Sequence, residues 1–563
     1  MLAKRLILLL AVGLVALSSQ AQDSLLLRNY QVVKRSDPWL TAPNAAALTR
    51  FNEENMATAE LSLTRAKGGF TDFYDSPNVV QADASVESFF RLSPRTVVFG
   101  AISYDNFSGR DMAGSAFLPP LTSHPSPFTL HHPFDIVEDS LMNTGTKHRD
   151  VYSLSGGVGV DLWRGMAFGA RLDYTSANYA KYKDLRHKNK LMDLQLSAGV
   201  YVPLGRVVQL GLNYLYHRNT ESVLFSTYGK SDRTYNSFIN YGSFIGQVEQ
   251  FGSTGYTDRS REMPLVSDAD GLSMQLSLQP ARCLQFYNAF TYGHLRGYYG
   301  RRSPYTITYT RHRSNQYQYD ARLTAQLCGS RFYLDFSLQV ENLQNYANTY
   351  REQQNDAGAS YYEYFTPVKT ADRLWSDVSL SLTADLGLRH QLPAWTLQTA
   401  FLQAHRKQTA YLYPYYRRQN LRTTTFTASV CRNFVATAGV WSFQLDASFT
   451  QGSGDPYEDM TFTEPSDKAT EPPTMEAYLW REYQWLTAAQ YAVGGSAKYS
   501  FLLPATRLKT YVRADLHHRK CNSPSPFTPH PSPLTLLPSG ETGEGPGWGR
   551  DRATVTLAVG CEF

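Results

Sequence analysis

From about Ala57 onward, apolar and polar residues alternate along the chain. Between Leu374 and Leu388 the residues Val378, Leu380, Leu382, Ala384, Leu386 and Leu388 share one parity, while Asp377, Ser379, Ser381, Thr383 and Asp385 occupy the other. A period of two puts these sets on opposite faces of a β-strand. Phe332, Leu334, Phe336, Leu338 and Val340 repeat the pattern against Arg331, Asp335, Ser337, Gln339 and Glu341. Leu272 to Gln279 repeats it again, and so do Trp441, Phe443, Leu445, Ala447 and Phe449 against Gln444, Asp446 and Ser448. These runs reach roughly ten residues, against about five or six for strands of soluble proteins and about 9 to 11 for a tilted strand crossing a bilayer. The second face is polar and often charged, which suits a wall between lipid and a wet lumen better than a sandwich core. The apolar face is expected to meet lipid.

Turn signals divide the alternating text unevenly. Short breaks fall at Ser93-Pro94-Arg95, Trp163-Arg164-Gly165, Pro203-Leu204-Gly205, Pro280-Ala281-Arg282, Cys328-Gly329-Ser330, His390 to Pro393, Asn433 to Thr437 and Leu503-Pro504-Ala505. Longer polar stretches lie near Lys67 to Val79, Phe107 to Arg149, Ser176 to Lys190, Arg218 to Ala269, Gly297 to Ser314, Ala347 to Asp372, Arg406 to Asn420, Gln451 to Gln484 and Cys521 to Arg550. Eight short turns and nine long loops join 18 strands. The expected fold is all-β, a transmembrane antiparallel up-and-down β-barrel of 16–18 strands with short periplasmic turns and long extracellular loops. Closure requires Thr58–Lys67 to pair with Thr554–Phe563, because an open edge in lipid leaves backbone groups unsatisfied.

The last strand carries Val555, Leu557, Val559, Cys561 and Phe563 on one parity. It resembles the C-terminal signal of outer-membrane β-barrels, which implies Phe563 as an assembly signal and the barrel-assembly machinery as a partner. At the other end, Lys4 and Arg5, the apolar run Leu6 to Leu17 and Ser19-Gln20-Ala21 form a signal peptide, residues 1–21, cleaved after Ala21. Residues 22–56 are then a periplasmic or lumenal N-terminal segment and 57–563 the barrel. That segment is too short for the plug domain of a TonB-dependent transporter. Its Asn44-Ala45-Ala46-Ala47-Leu48 resembles the Asn-Pro-Ala-Gly-Leu segment of fatty-acid-transporter-type barrels, with Ala45 and Ala47 in place of the Pro and Gly, and the resemblance implies a hatch in the lumen. Taken whole, the chain resembles the uncharacterised outer-membrane β-barrel families of Bacteroidetes-type bacteria.

Composition narrows the function. The 54 Lys and Arg against 49 Asp and Glu leave a net charge of +5 over 563 residues with no basic cluster, which argues against nucleic acid. Mean hydropathy is negative, and no apolar run beyond the N-terminus reaches the length of a membrane helix. Five scattered cysteines form neither a disulfide framework nor a metal site, although Cys283 and Cys328 fall at the same end of neighbouring strands, where they either pair or act as small fillers. The lumen-facing charges Arg171, Asp173, Asp193, Asp320, Arg322, Asp335, Asp385, Asp446, Arg513 and Asp515 either build a charged constriction that selects solute or satisfy one another in a wet wall. Pairs two residues apart, Arg171 with Asp173, Asp320 with Arg322 and Arg513 with Asp515, sit about 7 Å apart along one strand face.

The aromatic stretches Tyr298-Tyr299, Tyr361-Tyr362-Glu363-Tyr364-Phe365 and Tyr411 to Tyr416 read as an interfacial girdle or as stacking platforms for surface ligands. His217, His294, His405, His517 and His518 near outer strand ends come with no nucleophile motif, so no enzyme is expected. His124, His131 and His132 lie in a Pro-rich stretch with no supporting carboxylate or Cys, and no metal or other cofactor is expected. That stretch, Pro119 to Pro133, nearly repeats in Ser523 to Gly547 (His124-Pro125-Ser126-Pro127 against His530-Pro531-Ser532-Pro533). Both are expected to pair with no strand. The reading is a pore or hatch-gated conduit for a small solute in outer-membrane lipid. The alternatives are fatty-acid-transporter-type uptake of hydrophobic molecules and a non-conducting surface-binding or assembly barrel.

Overall fold

The computed structural model describes residues 24–119, 131–138, 143–228, 235–250, 263–503, 508–522 and 549–563. The leader, His124, most of the first Pro-rich stretch, all of the second and the turn at Pro504 lie outside those residues. The strands are β1 (Met56–Lys67), β2 (Asn78–Ser93), β3 (Thr96–Met112), β4 (Asp135–Glu138), β5 (Gly145–Trp163), β6 (Met166–Lys181), β7 (Arg186–Leu204), β8 (Val208–Ser226), β9 (Asn236–Gly242), β10 (Ile245–Gln250), β11 (Met263–Ala281) and β12 (Leu284–Ser303). They continue as β13 (Thr306–Leu327), β14 (Ser330–Ala347), β15 (Tyr350–Gln354), β16 (Ser360–Tyr364), β17 (Val368–Leu386), β18 (Trp395–Leu412), β19 (Tyr415–Ala436), β20 (Gly439–Thr461), β21 (Gln490–Leu502), β22 (Lys509–Cys521) and β23 (Asp551–Glu562). Helices α1 (Tyr30–Ser36) and α2 (Pro38–Thr41) precede the wall, and α3 (Glu476–Thr487) follows β20.

Eighteen strands, all but β4, β9, β10, β15 and β16, form one antiparallel sheet in chain order. It closes where β1 pairs with both β2 and β23. The closing register runs from Thr58 opposite Glu562 to Lys67 opposite Ala553, one residue from the expected alignment, and Phe563 exchanges backbone hydrogen bonds with Ala57 at 2.7 and 3.0 Å. At Arg164-Gly165 and Cys328-Gly329 both turn residues have positive φ (50° and 79°, 47° and 70°), the twist that lets a two-residue turn join right-twisted strands. Cys283 and Cys328 are exposed at this short-turn end and unpaired. The break expected at Asn433 to Thr437 narrows to the two residues after Ala436.

Three expected loops are instead strand. Ser176 to Lys190, Gly297 to Ser314 and Arg406 to Asn420 shrink to connections of residues 182–185, 304–305 and 413–414. Their polarity marks strand that has left the membrane, not chain that has left the sheet. On β14 the outward apolar run spans Phe332 to Val340, the length of a single crossing, whereas the wall strands from β7 to β20 run 18 to 23 residues. About half of each therefore stands beyond the apolar band. The aromatic expectation shifts accordingly. The girdle is formed by Tyr214, Tyr292 and Tyr317, which face outward at the end of the band, while Tyr411 lies ten residues beyond Phe401, Tyr361 to Tyr364 sit on the β15–β16 hairpin and Tyr299 points inward and is fully buried. Among the described residues no helix is long and apolar enough to span a membrane.

On β23, Leu557 faces outward and is 56% exposed to the surroundings, while the neighbouring Thr556 Oγ1 meets Thr64 Oγ1 across the closing seam at 2.9 Å. Leu557→Arg should cost about 2 to 4 kcal/mol of barrel stability and impair assembly, and Thr556→Arg, facing the lumen, should be mild. Heat-modifiable gel migration of refolded protein checks both, and equal tolerance would refute the parity.

Candidate functional site: a plugged lumen

Three Asx caps break residues 24–55 into short turns. Asn29 Oδ1 accepts from Gln31 N and Val32 N to start α1, Asp37 Oδ1 accepts from Trp39 N to start α2 with Pro38 at its first position, and Asn44 Oδ1 accepts from Ala46 N to start a 3₁₀ turn over Ala45–Arg50. Arg50 Nε donates to Asp37 Oδ2 at 2.8 Å and folds the segment onto itself. The result is a compact body inside the barrel.

Its contacts run around the circumference. Trp39, fully buried, sits edge-on between Tyr201 and Tyr287, each ring 5.2 Å away. Tyr30 and Phe51 pack on Phe89 of β2. Arg35 Nη2 reaches Asp385 Oδ2 at 2.6 Å, Lys34 pairs with Glu87, and Arg322 Nη1 donates to the Arg35 carbonyl at 3.0 Å. Arg50 Nη1 donates to Tyr201 Oη and Gln209 Oε1, both at 3.0 Å.

The seat for this plug is a row of glycines. Gly159, Gly169 and Gly199 stand directly opposite one another on β5, β6 and β7. A Cβ added to Gly169 would lie 2.1 Å from Ala46 N, one on Gly159 2.6 Å from Ala45 O, and one on Gly199 2.4 Å from Asn44 Oδ1. Only bare backbone lets residues 44–46 come this close. Asn44 is completely buried there, its Nδ2 donating to Val200 O and Gln275 Oε1 at 3.0 Å.

Against the plug and the wall lies a cavity of 470 Å³. Its lining is mixed: Ser273, Gln318, Asp320 and Ser337 from the wall and Arg35 from the plug are polar, while Pro38, Ala42, Pro43, Ala289 and the Tyr287 ring add apolar surface. Asp320 accepts from Ser337 Oγ and Gln318 Nε2 at 2.7 Å.

A second body lies against the wall at the long-loop end. Strands β4, β9 and β10 form a three-stranded sheet whose core includes Phe134, Ile136, Ile239, Tyr241 and Ile245 packed on the wall residues Val223, Leu265 and Tyr299. Wall cations hold its backbone: Arg373 Nη1 donates to His132 O at 2.6 Å, Arg373 Nη2 to Tyr241 O at 3.1 Å and Arg417 Nη1 to Ser243 O at 3.1 Å. His132 Nε2 meets Glu221 at 3.1 Å and His131 meets Glu341, so these histidines do have carboxylates, supplied by strands far away in sequence. Both lie in the Pro119 to Pro133 stretch, whose last residues are thus docked on the wall. Among the described residues no group of three or more His, Cys, Asp and Glu could hold a metal ion.

All ten charges singled out from sequence lie on the lumen parity, but they do not form one ring. Arg171 pairs with Asp173 at 2.8 Å and Arg513 with Asp515 at 3.0 Å, as the spacing predicts. Arg322 turns to Asp335 across the strand pair instead of to Asp320. Asp385, close to the short turns, serves the plug, Asp193 takes His217 at 2.7 Å, and Asp446 takes His517 at 3.2 Å. His294 and His405 bond Asn315 and Asn420, at 2.8 and 2.7 Å. One Ser–His contact, Ser267 Oγ to His312 Nε2 at 2.9 Å, is buried beneath the outer sheet, and His312 Nδ1 has no carboxylate. What the sequence reading passed over are the lumen-facing glycines and the plug cations Lys34 and Arg35. Glycine recurring on the inward parity of three adjacent strands was the available signal.

The chain belongs to DUF6850, a family of unknown function, whose model matches residues 45–563. No curated protein matches it. Solved structures it is similar to include the outer membrane transporter YddB from Escherichia coli (8% identity, 91% of this chain and 81% of that one, TM-score 0.40). Others are the alcaligin outer membrane receptor FauA from Bordetella pertussis (8%, 90% and 76%, 0.39) and BauA, the ferric preacinetobactin receptor from Acinetobacter baumannii (10%, 90% and 80%, 0.37).

Replacing Gly169 or Gly199 by Val should displace the plug while the barrel still folds, seen as faster swelling of proteoliposomes in an osmotic solute with unchanged heat-modifiable migration. Unaltered swelling in both variants would refute the glycine seat. The loops around α3 are expected to be more stable at lower pH. Burial raises the carboxyl pKa of Asp72, Asp75 and Glu482, most strongly at Asp72, where the Glu482 and Asp75 charges add to it. A carboxyl raised by folding binds its proton more tightly in the folded state, so its contribution is full below the ordinary carboxylate range and is lost as pH rises through the raised values. Protease cleavage within 462–475, beside α3, should therefore be slower at pH 5 than at pH 8 after correction for protease activity.

Proposed function

We propose that this protein is an exported outer-membrane conduit in which residues 22–56 of the mature chain act as a gate for a small solute. The glycine seat carries the reading: three adjacent strands give up their side chains where Asn44–Ala46 dock, and the ion pairs Arg35 with Asp385 and Lys34 with Glu87 tie the plug to the wall beside it. Such a body is seated closely on the wall and joined to it by non-covalent contacts alone, which gating requires. The cavity beside it offers Asp320, Gln318 and Arg35 next to apolar surface, which supports a solute with both hydroxyl or amide groups and an apolar part over the purely hydrophobic cargo of a fatty-acid-transporter-type barrel. The lumen charges, each partnered by a neighbouring charge, histidine, polar side chain or plug arginine, serve as a neutralised wall lining more than as a selectivity ring. Closure through β23 supports assembly by the barrel-assembly machinery, and the long-loop end is taken as extracellular.

Deleting residues 22–55 should convert a nearly silent protein into a steadily conducting one in planar bilayers. A wild-type barrel that already conducts steadily, with no change on deletion, would refute gating by the plug. Orientation is read from cysteines already present: Cys283 and Cys328 at the short turns should resist an impermeant maleimide on intact cells and react after outer-membrane permeabilisation, whereas a Cys at Asp356 should react at once.

A further inference from the structure

The outer face of β8, β11, β12, β13 and β14 is ordered in rows, because residues directly opposite one another across these five strands share both side and register. One row, Leu212, Met274, Phe290, Tyr319 and Leu338, is apolar or aromatic. The next outward, Tyr214, Leu272, Tyr292, Tyr317 and Val340, ends the apolar band, and its tyrosines reach upward: Tyr214 Oη donates to Asp270 at 2.6 Å and Tyr292 Oη to Asn315 at 3.1 Å. Rings in the band with hydroxyls above it mark the membrane interface. Above them comes an uncharged-to-acidic row, Tyr216, Asp270, His294, Asn315 and Asn342, and then Arg218, Asp268, Arg296, Arg313 and Gln344. Arg311 follows one row further, and Arg302 stacks on Tyr298 beside it, 4.1 Å from the ring centre.

Five guanidinium groups on one outward face thus stand over two carboxylates. Those carboxylates are already engaged, Asp268 by Arg218 at 3.4 Å and by Tyr216 Oη at 3.0 Å, Asp270 by Tyr214 Oη and more loosely by Arg296 at 3.9 Å. Arg296 keeps 72% of its side chain exposed despite that pair. Arg313 is held by Gln344 Oε1, at 2.9 and 3.1 Å, and by Tyr346 Oη, both uncharged acceptors that orient the fork without neutralising it. The arginine row lies four residues above the tyrosine row, roughly 13 Å along the strand and about 10 Å in height at a typical barrel tilt, so long side chains bending back toward the band meet the headgroup layer. A planar fork with a fixed charge and paired N–H donors matches phosphate oxygens.

We propose that Arg296, Arg311 and Arg313, with Arg218 and Arg302 at the flanks, form a binding surface for the phosphate groups of an outer-leaflet glycolipid. The lipid is favoured over a free anion because the surface begins where the apolar and tyrosine rows end, so acyl chains can lie on Phe290 and Leu338 while the phosphates meet the arginines.

The test uses the purified full-length barrel in neutral detergent with added bis-phosphorylated lipid A, the same lipid A stripped of its phosphates, or inorganic phosphate. Phosphorylated lipid A should raise the temperature at which the folded gel band is lost by several degrees, and Arg296→Gln/Arg311→Gln/Arg313→Gln should abolish the rise or weaken the lipid's apparent affinity about tenfold or more. The dephosphorylated lipid and inorganic phosphate should produce no rise. An equal rise in the triple variant, or with the dephosphorylated lipid, would overturn the proposal, and an equal rise with inorganic phosphate would replace the lipid by a free anion. Arg351→Gln, on the exposed β15–β16 hairpin, should behave as wild type. If the triple variant fails to fold, Arg313→Gln alone and a salt titration of the wild-type shift decide: the shift should shrink as ionic strength rises, and a salt-independent shift would overturn the proposal.

Discussion

A wall in hydrocarbon has no water to bond its backbone, so every N–H and C=O it carries must find a partner in the neighbouring strand. The remaining features of this protein depend on that requirement. It forces the seam between β1 and β23, from Thr58 opposite Glu562 to Lys67 opposite Ala553, and it forbids any strand from ending partway across the apolar band. With the backbone committed to the ladder, specificity passes entirely to side-chain parity, one face for lipid and the other for the lumen.

The lumen is then a polar cylinder that must be filled or wet, and here a body packs against its wall at each end. The inner body enters as three capped turns and meets a wall carved to bare backbone by Gly159, Gly169 and Gly199. The outer sheet instead supplies apolar surface of its own, with Ile136, Ile239 and Ile245 packed against Leu265 and Val223, and its edges are held by Arg373 and Arg417 reaching for carbonyl oxygens. The inner body sits against the barrel through both kinds of contact, polar and close backbone contacts at the glycine row and buried apolar packing of Tyr30, Phe51 and Trp39 on Phe89, Tyr201 and Tyr287. The outer one sits through a buried apolar core.

Much of this was legible in the chain. Alternation identified the wall, its parity and all 18 strands, because a one-residue slip would turn Leu557 or Leu380 into the lumen and is strongly penalised. Loop lengths misled wherever polar strand continued above the lipid, since Gly297 to Ser314 is polar on both faces and nothing in its composition distinguishes a solvated strand from a loop. Same-strand charge pairs such as Arg171 with Asp173 could be anticipated from spacing, whereas Arg35 with Asp385 and His132 with Glu221 join residues hundreds or tens of positions apart and have no local signature.

The overlong strands have a mechanical consequence. Hydrogen-bonded walls of 18 to 23 residues rise on the order of 20 to 25 Å above the hydrocarbon before the chain turns. Among the described residues the wall from β7 to β20 thus stands above the band as paired strand. A molecule that meets these strands touches a surface already ordered, so its capture carries little of the ordering entropy that floppy loops would impose. A rim carried that high also stands clear of the surrounding headgroups, and large objects can be engaged at the tip without touching the bilayer at all.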